Sequence, residues 1–405
     1  MTETLTELPA FPAQRASGAP FDPPPEHRRL QRQAPVSRVR LWDDSTPWLV
    51  SSYAEQRAML SDPRVSADAR QAGYPHQSAG LKARRGNEVT FINMDDPQHA
   101  RLRRMVTAPF AIKRVNAMRP AIQRIVDGLI DDLLAGPKPA DLVQAFALPV
   151  PSLVICELLG VPYADHDFFQ QNSKKLINRN STPEESQAAQ VELVDYLEEL
   201  VGRKLIEPAD DLLSRLAAEQ VATGELTQHQ LAVMGQLLLV AGHETTANMI
   251  ALGTAALLEH PGQLAELRDA DDPKLVAGAV EELLRYLTIV HSGRRRVATE
   301  DIEVGGQLIR KGEGIVLPTD IANRQPEEFA DPDKLDIHRD ARKHVAFGFG
   351  VHQCLGQPLA RVELQIVYST LYRRIPTLAL AAERDQLKFK HDGLVYGVYE
   401  LPVTW

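Results

Sequence analysis

The sequence predicts a mainly α-helical chain with small β-sheets, folded as one large domain. Three observations predict it. From Asp95 to Tyr286 apolar residues recur at helical spacing, including an unusually long run from Thr227 to about Glu259. Short β-type runs are confined to the early part of the chain and its last third. The 405 residues, 44% of them hydrophobic, supply one large core and show neither a repeat nor a low-complexity block.

In chain order, residues 1–25 are rich in proline and polar groups and read as an extended arm, leaving 26–405 as the domain proper. Residues 36–52 alternate around Val36, Val39, Leu41, Trp48 and Val50 with a polar turn between, the pattern of a hairpin. Residues 72–93 are polar and irregular and read as a long loop. Its cations Lys82, Arg84 and Arg85 are expected to face water. A helix follows Pro97, a first-turn proline, through Leu102, Met105, Val106 and Phe110. Further helices fit 118–135, 140–159, 163–178, 184–206, 210–220, 227–259 and 274–286. Short strands at 294–304 and 307–317 lead into a proline-bearing meander at 323–342. A last helix at 355–374 and a C-terminal hairpin complete the chain.

Composition excludes several classes of function. With 45 Lys+Arg against 54 Asp+Glu the net charge is −9, unlike a protein that relies on phosphate contacts, so no nucleic acid is expected. The start has neither a basic nor an apolar segment of the secretory kind, and the apolar stretch 147–161 is interrupted by Pro149, Pro151 and Glu157. A cytoplasmic protein without a membrane span, and a monomer, is therefore expected. Two cysteines, Cys156 and Cys354, make no disulfide framework.

The two cysteines differ in setting. Cys156 lies in the apolar stretch LVICELLG and reads as a packed core residue. Cys354 lies in HVAFGFGVHQCLGQPLAR, among Gly348, Gly350 and Gly356 and just before a helix. Those glycines allow a large flat ligand to approach the backbone, and the helix start favours a thiolate. Phe347 can pack near the sulfur and exclude water. The dinucleotide fingerprint fails because Gln353 stands where its third glycine belongs. A nucleophilic cysteine is still compatible with this segment alone.

The segment closely resembles the haem loop of the cytochrome P-450 family, whose Phe-x-x-Gly-x-x-x-Cys-x-Gly pattern is met at Phe347, Gly350, Cys354 and Gly356. Composition alone gives that match in roughly 2 of 10,000 such chains. Midway along the long helix, Ala241-Gly242-His243-Glu244-Thr245-Thr246 sets an acid and two hydroxyls in an apolar stretch. Ala247 excludes the zinc motif H-E-x-x-H. The alternative use of Thr245 is a bond back to its own helix. Here the resemblance implies an oxygen groove, loosened locally, with Thr245 facing dioxygen and Glu244 relaying protons.

Further residues take roles from the same resemblance, which runs from about Val36 to the C-terminus. Glu282, Arg285 and Arg339 match a structural acid–arginine set. His99, Arg103, Arg296 and His352, each by itself an ordinary charge, match positions that bind two haem propionates. Val240, Ala241, Ile289, Val290, His291, Val395 and Tyr396 are implied to line the substrate pocket, with the 72–93 and 163–206 segments nearby.

The implied chemistry follows. Haem b held by the Cys354 sulfur would use dioxygen and NAD(P)H-derived electrons to put one oxygen atom into a C–H bond of a bulky hydrophobic small molecule. The resemblance is to actinomycete members that oxidise polyketides, macrolides, steroid-like or foreign compounds, fed by ferredoxin and ferredoxin reductase. Arg361, Arg373 and Arg374 are candidates for docking the ferredoxin. Two other readings are a peroxide-driven enzyme, which Glu244–Thr245 argues against, and a haem sensor or carrier without turnover.

Overall fold

A computed structural model describes residues 8–87 and 89–405, with no description of the side chains of residues 85–87. Its organising element is the helix Gln228–Leu258, capped by a reciprocal pair in which Thr227 Oγ1 accepts from Gln230 N and Gln230 bonds back to the Thr227 N–H. Twenty-two of its 31 residues are buried, which explains why no polar stripe shows in this stretch of sequence. The helices Pro149–Leu159, Pro183–Ile206 and Gln357–Arg374 pack around it.

Two glycines permit that packing. A Cβ on Gly242 would stand 2.7 Å from Ile155 Cγ1, and one on Gly253 would stand 2.0 Å from the Tyr368 hydroxyl. Gly242 therefore marks a close helix crossing. The helix runs unbroken through it, so the locally loosened turn expected there is absent.

Beside the helices lies a five-stranded sheet in the order Val36–Arg38, Trp48–Val50, Gly314–Leu317, Arg294–Ala298, Val65–Ser66. The first two strands form the expected antiparallel hairpin. Two strands from the last third join them, with Arg294 opposite Leu317 and Arg296 opposite Ile315. The C-terminal strand Pro402–Thr404 pairs with Ala379–Leu380 and also with Ala140–Asp141. No helix among the described residues is long and apolar enough to cross a membrane.

One sequence expectation needs correction, and two features add to the sequence reading. The 72–93 segment contains a helix, Ala79–Asn87, which packs on Pro183–Ile206; its Gly and charged residues hid a short tertiary-stabilised helix. Three further helices, Pro25–Gln33, Tyr53–Ser61 and Pro261–Asp269, and the single turn Thr319–Ala322 were not anticipated. Residues 1–7 of the arm lie outside the described residues; from Leu8 onward it is packed against the domain. Phe11 and Phe21 are buried, and Arg15 donates to the carbonyls of Phe21, Leu287 and Thr288.

Candidate active site

The loop carrying Cys354 is built by protein packing. Gly348 and Gly350 have φ of +76° and +74°, and a Cβ on Gly350 would stand 2.3 Å from the Leu60 carbonyl oxygen. Both glycines thus serve the turn; Gly350 also seats it on the helix Tyr53–Ser61, whereas a Cβ on Gly348 would stand 3.1 Å from Arg294 Nε. Only at Gly356, the residue before the final helix, would a Cβ meet no protein atom within 4 Å. The expectation that all three glycines serve ligand approach is narrowed to that one.

Cys354 N donates to Phe347 O at 2.9 Å, which fixes the cysteine beside the phenylalanine backbone. Arg361 covers the Phe347 ring at 4.6 Å and is itself held by Glu281 at 2.6 and 3.0 Å. Cys354 is solvent-accessible although protein surrounds it deeply, so its accessible surface is interior. Burial pushes its thiol up. Arg294, the N–H groups of Gly356 and Gln357, and Arg103 act in the opposite direction. Cys156, by contrast, is buried in the core and pushed up to about 12 by burial. It remains an inert thiol.

The central helix also presents interior surface. Ala241 is exposed, and Leu237, Val240 and Thr245 are half-buried, although the residues on either side are packed. Positions 237, 241 and 245 recur every four residues, so they form one stripe. Thr245 Oγ1 donates to Ala241 O at 2.8 Å, the back-bonded arrangement. Glu244 is buried, with Oε1 3.8 Å from His243 Nε2.

Around the cysteine loop the structure gathers a cationic cradle. The His99 and His352 rings are 4.0 Å apart, and Arg103 Nη2 donates to Gln353 O at 2.6 Å. Burial lowers Arg296 to about 10, and burial together with Arg296, His99 and Arg103 lowers His352 to about 3. His99 Nε2, His352 Nδ1 and Arg294 Nε are buried without a hydrogen-bond partner. The charges of Arg103, Arg294 and Arg296, beside buried ring and guanidinium nitrogens left without partners, fit a ligand bearing carboxylates. With a lone interior thiol beside them, they fit a haem.

Arg294 was missed as a member of this cradle. The signal was legible: on a strand, residues 294 and 296 share one face and 295 takes the other. Arg295 indeed lies over the Phe11 ring at 5.2 Å, toward the N-terminal arm.

Glu282, Arg285 and Arg339 meet in the core. Arg285 Nε and Nη2 donate to the two Glu282 oxygens at 2.7 and 2.8 Å, and Arg339 Nε approaches Oε1 at 3.2 Å. Arg285 Nη1 also donates to Asn323 O at 2.9 Å. Asn323 Oδ1 in turn accepts from Val345 N at 2.8 Å, two residues before Phe347. Asn323, which the sequence reading passed over in the meander, therefore ties this ion set to the cysteine loop.

Two pocket expectations change. Tyr396 has no exposed surface and lies under Arg15 at 4.2 Å, and His291 is buried with Nε2 3.0 Å from Gly393 O. Ile289 and Val395 are nearly buried, while Val240, Ala241, Val290 and Leu394 stay partly open. The docking candidates are likewise engaged within the chain: Arg361 by Glu281, Arg373 by the Arg268 carbonyl and Arg374 by Asp127.

Known proteins resemble the whole chain. A family model described as Cytochrome P450 matches residues 198–391. Cytochrome P450 GfsF of Streptomyces halstedii is 60% identical over 98% of this chain and 97% of its own length. Its crystal structure superposes with a TM-score of 0.92, covering 98% of this chain and 100% of that one. Pentalenic acid synthase of Streptomyces avermitilis is 50% identical over the full length of both. The mycinamicin VIII C21 methyl hydroxylase MycCI of Micromonospora griseorubida, solved with mycinamicin VIII bound, is 41% identical with a TM-score of 0.92 over 98% and 100% of the two chains.

Proposed function

Because the chain belongs to the cytochrome P450 family and is a monooxygenase of that family, we propose that it hydroxylates a bulky hydrophobic secondary metabolite, a polyketide or macrolide or a steroid-like compound, with electrons from ferredoxin and its reductase. The observation that carries this reading is the Cys354 sulfur within reach of the Arg294 and Arg103 charges, beside buried nitrogens of His99, His352 and Arg294 that have no hydrogen-bond partner; the open Leu237–Ala241–Thr245 stripe of the central helix supports it. The names of two relatives, a pentalenic acid synthase and a mycinamicin VIII hydroxylase, support the substrate class.

The family implies a haem-iron cofactor, here haem b; when bound, it activates dioxygen with NAD(P)H-derived electrons and delivers one oxygen atom to a C–H bond. Cys354 would be the iron ligand. The Gly356 and Gln357 N–H groups and the Arg294 charge stabilise its thiolate. His99, Arg103, Arg294, Arg296 and His352 would hold the propionates, supplying hydrogen-bond donors and positive charge. Leu237, Val240, Ala241, Val290 and Leu394 offer apolar surface that orients substrate and excludes water. Glu244 would hold and move protons, and the Thr245 hydroxyl, which now donates to Ala241 O, would pass them on from the open stripe of the helix. Glu282, Arg285 and Arg339 set the loop through Asn323. Residues 26–405 form the catalytic domain, acting as a cytoplasmic monomer.

The test is spectroscopic first. Reduced protein with carbon monoxide should show the thiolate-type band, retained in Cys156→Ser and lost in Cys354→Ser. A spectral-shift screen of candidate compounds, with product identification by mass spectrometry in the presence of ferredoxin, reductase and NADPH, then names the substrate. Bound haem without any product would sink the monooxygenase reading. Turnover faster with peroxide than with ferredoxin would replace the electron source.

A further inference from the structure

His243 is a buried, titratable group that the catalytic reading above leaves unused. It has no exposed surface, and the Phe169 ring meets it edge-on at 5.6 Å between ring centres. Its Nδ1 lies 2.7 Å from the Leu239 carbonyl oxygen, one turn back along the central helix. A carbonyl only accepts, so Nδ1 carries the ring proton. Burial lowers the basicity of the ring; Glu244 and the Leu239 bond work against that shift, and Lys390 adds to it. A neutral ring protonated at Nδ1 leaves a bare lone pair at Nε2. That atom is buried without a hydrogen-bond partner, and Glu244 Oε1 lies 3.8 Å from it.

A second group approaches the same acid from the C-terminal hairpin. Gly397 abuts the central helix so closely that a Cβ there would stand 1.7 Å from Asn248 Oδ1. Asn248 Nδ2 donates to the Glu244 carbonyl at 2.7 Å. On the hairpin's other arm, Lys390 N donates to Gly397 O at 2.8 Å, which sets Lys390 within electrostatic reach of Glu244. Burial weakens the hold of the Lys390 ammonium on its proton. Glu244, Asp392 and Asp141 strengthen it, and Lys174, from the helix His166–Ile177, opposes them. Glu244 thus has His243 beside it on the central helix and Lys390 within reach from the hairpin, and Lys390 in turn feels Asp392, Asp141 and Lys174.

We propose that His243 and Lys390 are positioning residues that give the Glu244 side chain two resting places, the lone pair at His243 Nε2 for the protonated acid and the Lys390 ammonium for the carboxylate. This inference rests on the monooxygenase reading. A protonated carboxyl can donate to Nε2, whereas a carboxylate facing a lone pair is repelled and finds its attraction at Lys390. The carboxyl held at Nε2 gives its proton toward Thr245 Oγ1. The resulting carboxylate turns to Lys390, takes a proton from solvent on that side, and returns. One proton enters for each one passed on, and no electrons move.

Two measurements test this. In 15N NMR of the reduced, carbon-monoxide-bound protein, the histidine signal lost in His243→Asn should be that of a neutral ring protonated at Nδ1. An imidazolium, or a ring protonated at Nε2, overturns the proposal whatever the activity. His243→Asn keeps an amide N–H for the Leu239 carbonyl and has no atom at the Nε2 position; His243→Gln reaches that position with an amide oxygen. With the product-forming compound from the screen, ferredoxin, reductase and NADPH, His243→Asn should lower product per NADPH by about tenfold and enlarge the solvent deuterium effect. His243→Gln should recover most of that loss. Lys390→Gln should lower product per NADPH and Lys390→Arg should keep it. The carbon monoxide band should be unchanged throughout. Full coupling in His243→Asn or Lys390→Gln overturns this proposal alone, while absence of product from the parent protein overturns the monooxygenase reading with it.

Discussion

Arg285→Ala offers the severest test of how the core holds the cysteine loop. Arg285 and Glu282 have no exposed surface. The guanidinium makes two bonds to Glu282, then one each to the carbonyls of Asn323, Pro332 and Lys334 at 2.9, 2.8 and 3.3 Å. Truncation leaves Glu282 with Arg339 and the Asp336 N–H, both on Oε1, and strands Oε2. Breaking a buried pair on one side costs about 3 to 5 kcal/mol. Two orphaned carbonyls add roughly 1 kcal/mol each, the Lys334 carbonyl keeping its bond from Arg339. A total of about 6 kcal/mol rivals the whole margin of a typical domain, roughly 5 to 15 kcal/mol. Arg285→Ala should therefore unfold at much lower urea by far-UV circular dichroism, or accumulate only as aggregate. Arg285→Lys should fall between, because a point charge cannot reproduce the fork. The double substitution Glu282→Gln with Arg285→Met should lose less than Arg285→Ala alone, since it leaves no buried carboxylate short of a partner and Arg339 keeps its bonds to the Asp331 and Lys334 carbonyls. A midpoint for Arg285→Ala within experimental error of the parent, or a double variant worse than the single one, would refute the reasoning.

Two other outcomes follow from the packing. Burial pushes Glu281 up, but His344 and Arg361 outweigh it and hold the acid at about 2 against an ordinary 4.5. A depressed folded value stabilises fully above the ordinary value and is lost as pH falls toward 2. Parent and Glu281→Gln should thus differ by about 3 kcal/mol near neutral pH, with the gap closing between pH 4.5 and 2 in acid-unfolding curves; a gap independent of pH would show the ionised pair to be irrelevant. Gly253→Ala should destabilise by roughly 1 to 3 kcal/mol, since its Cβ would fall on the Tyr368 hydroxyl. Adding Tyr368→Phe removes that hydroxyl and should restore part of the loss in urea melts, although it gives up the 2.5 Å bond to Met249 O; a strictly additive pair would exclude the clash as the cause.

Much of the helical frame was legible because periodicity reports burial directly. The ends of Gln228–Leu258 and Pro273–Leu287 lie within a residue or two of the expected ones. The Ala79–Asn87 helix was not legible, because its stability comes from packing on Pro183–Ile206, a contact across more than a hundred residues. Site residues on local motifs, Cys354 and Glu244–Thr245, could be found by reading along the chain. Asn323 could not: its carbonyl and side chain serve two distant partners, and nothing in its neighbours marks that use.

Glycine shows the same division from the other side. The sequence marks where backbone freedom is needed without saying what occupies the space. Gly350 yields to Leu60, Gly242 to Ile155 and Gly253 to Tyr368, so three glycines near the proposed chemistry are explained by protein against protein. The arginine run 294–296 is more informative, because strand alternation is a strict rule. Its register opposite Leu317 and Ile315 sends Arg294 and Arg296 to one face and Arg295 to the N-terminal arm. A slip of one residue would exchange those faces and put one cation where two stand. Pairing in the five-stranded sheet and the charge of the cradle are therefore a single constraint. The strand Gly314–Leu317, which carries no residue of the cradle, fixes its electrostatics all the same.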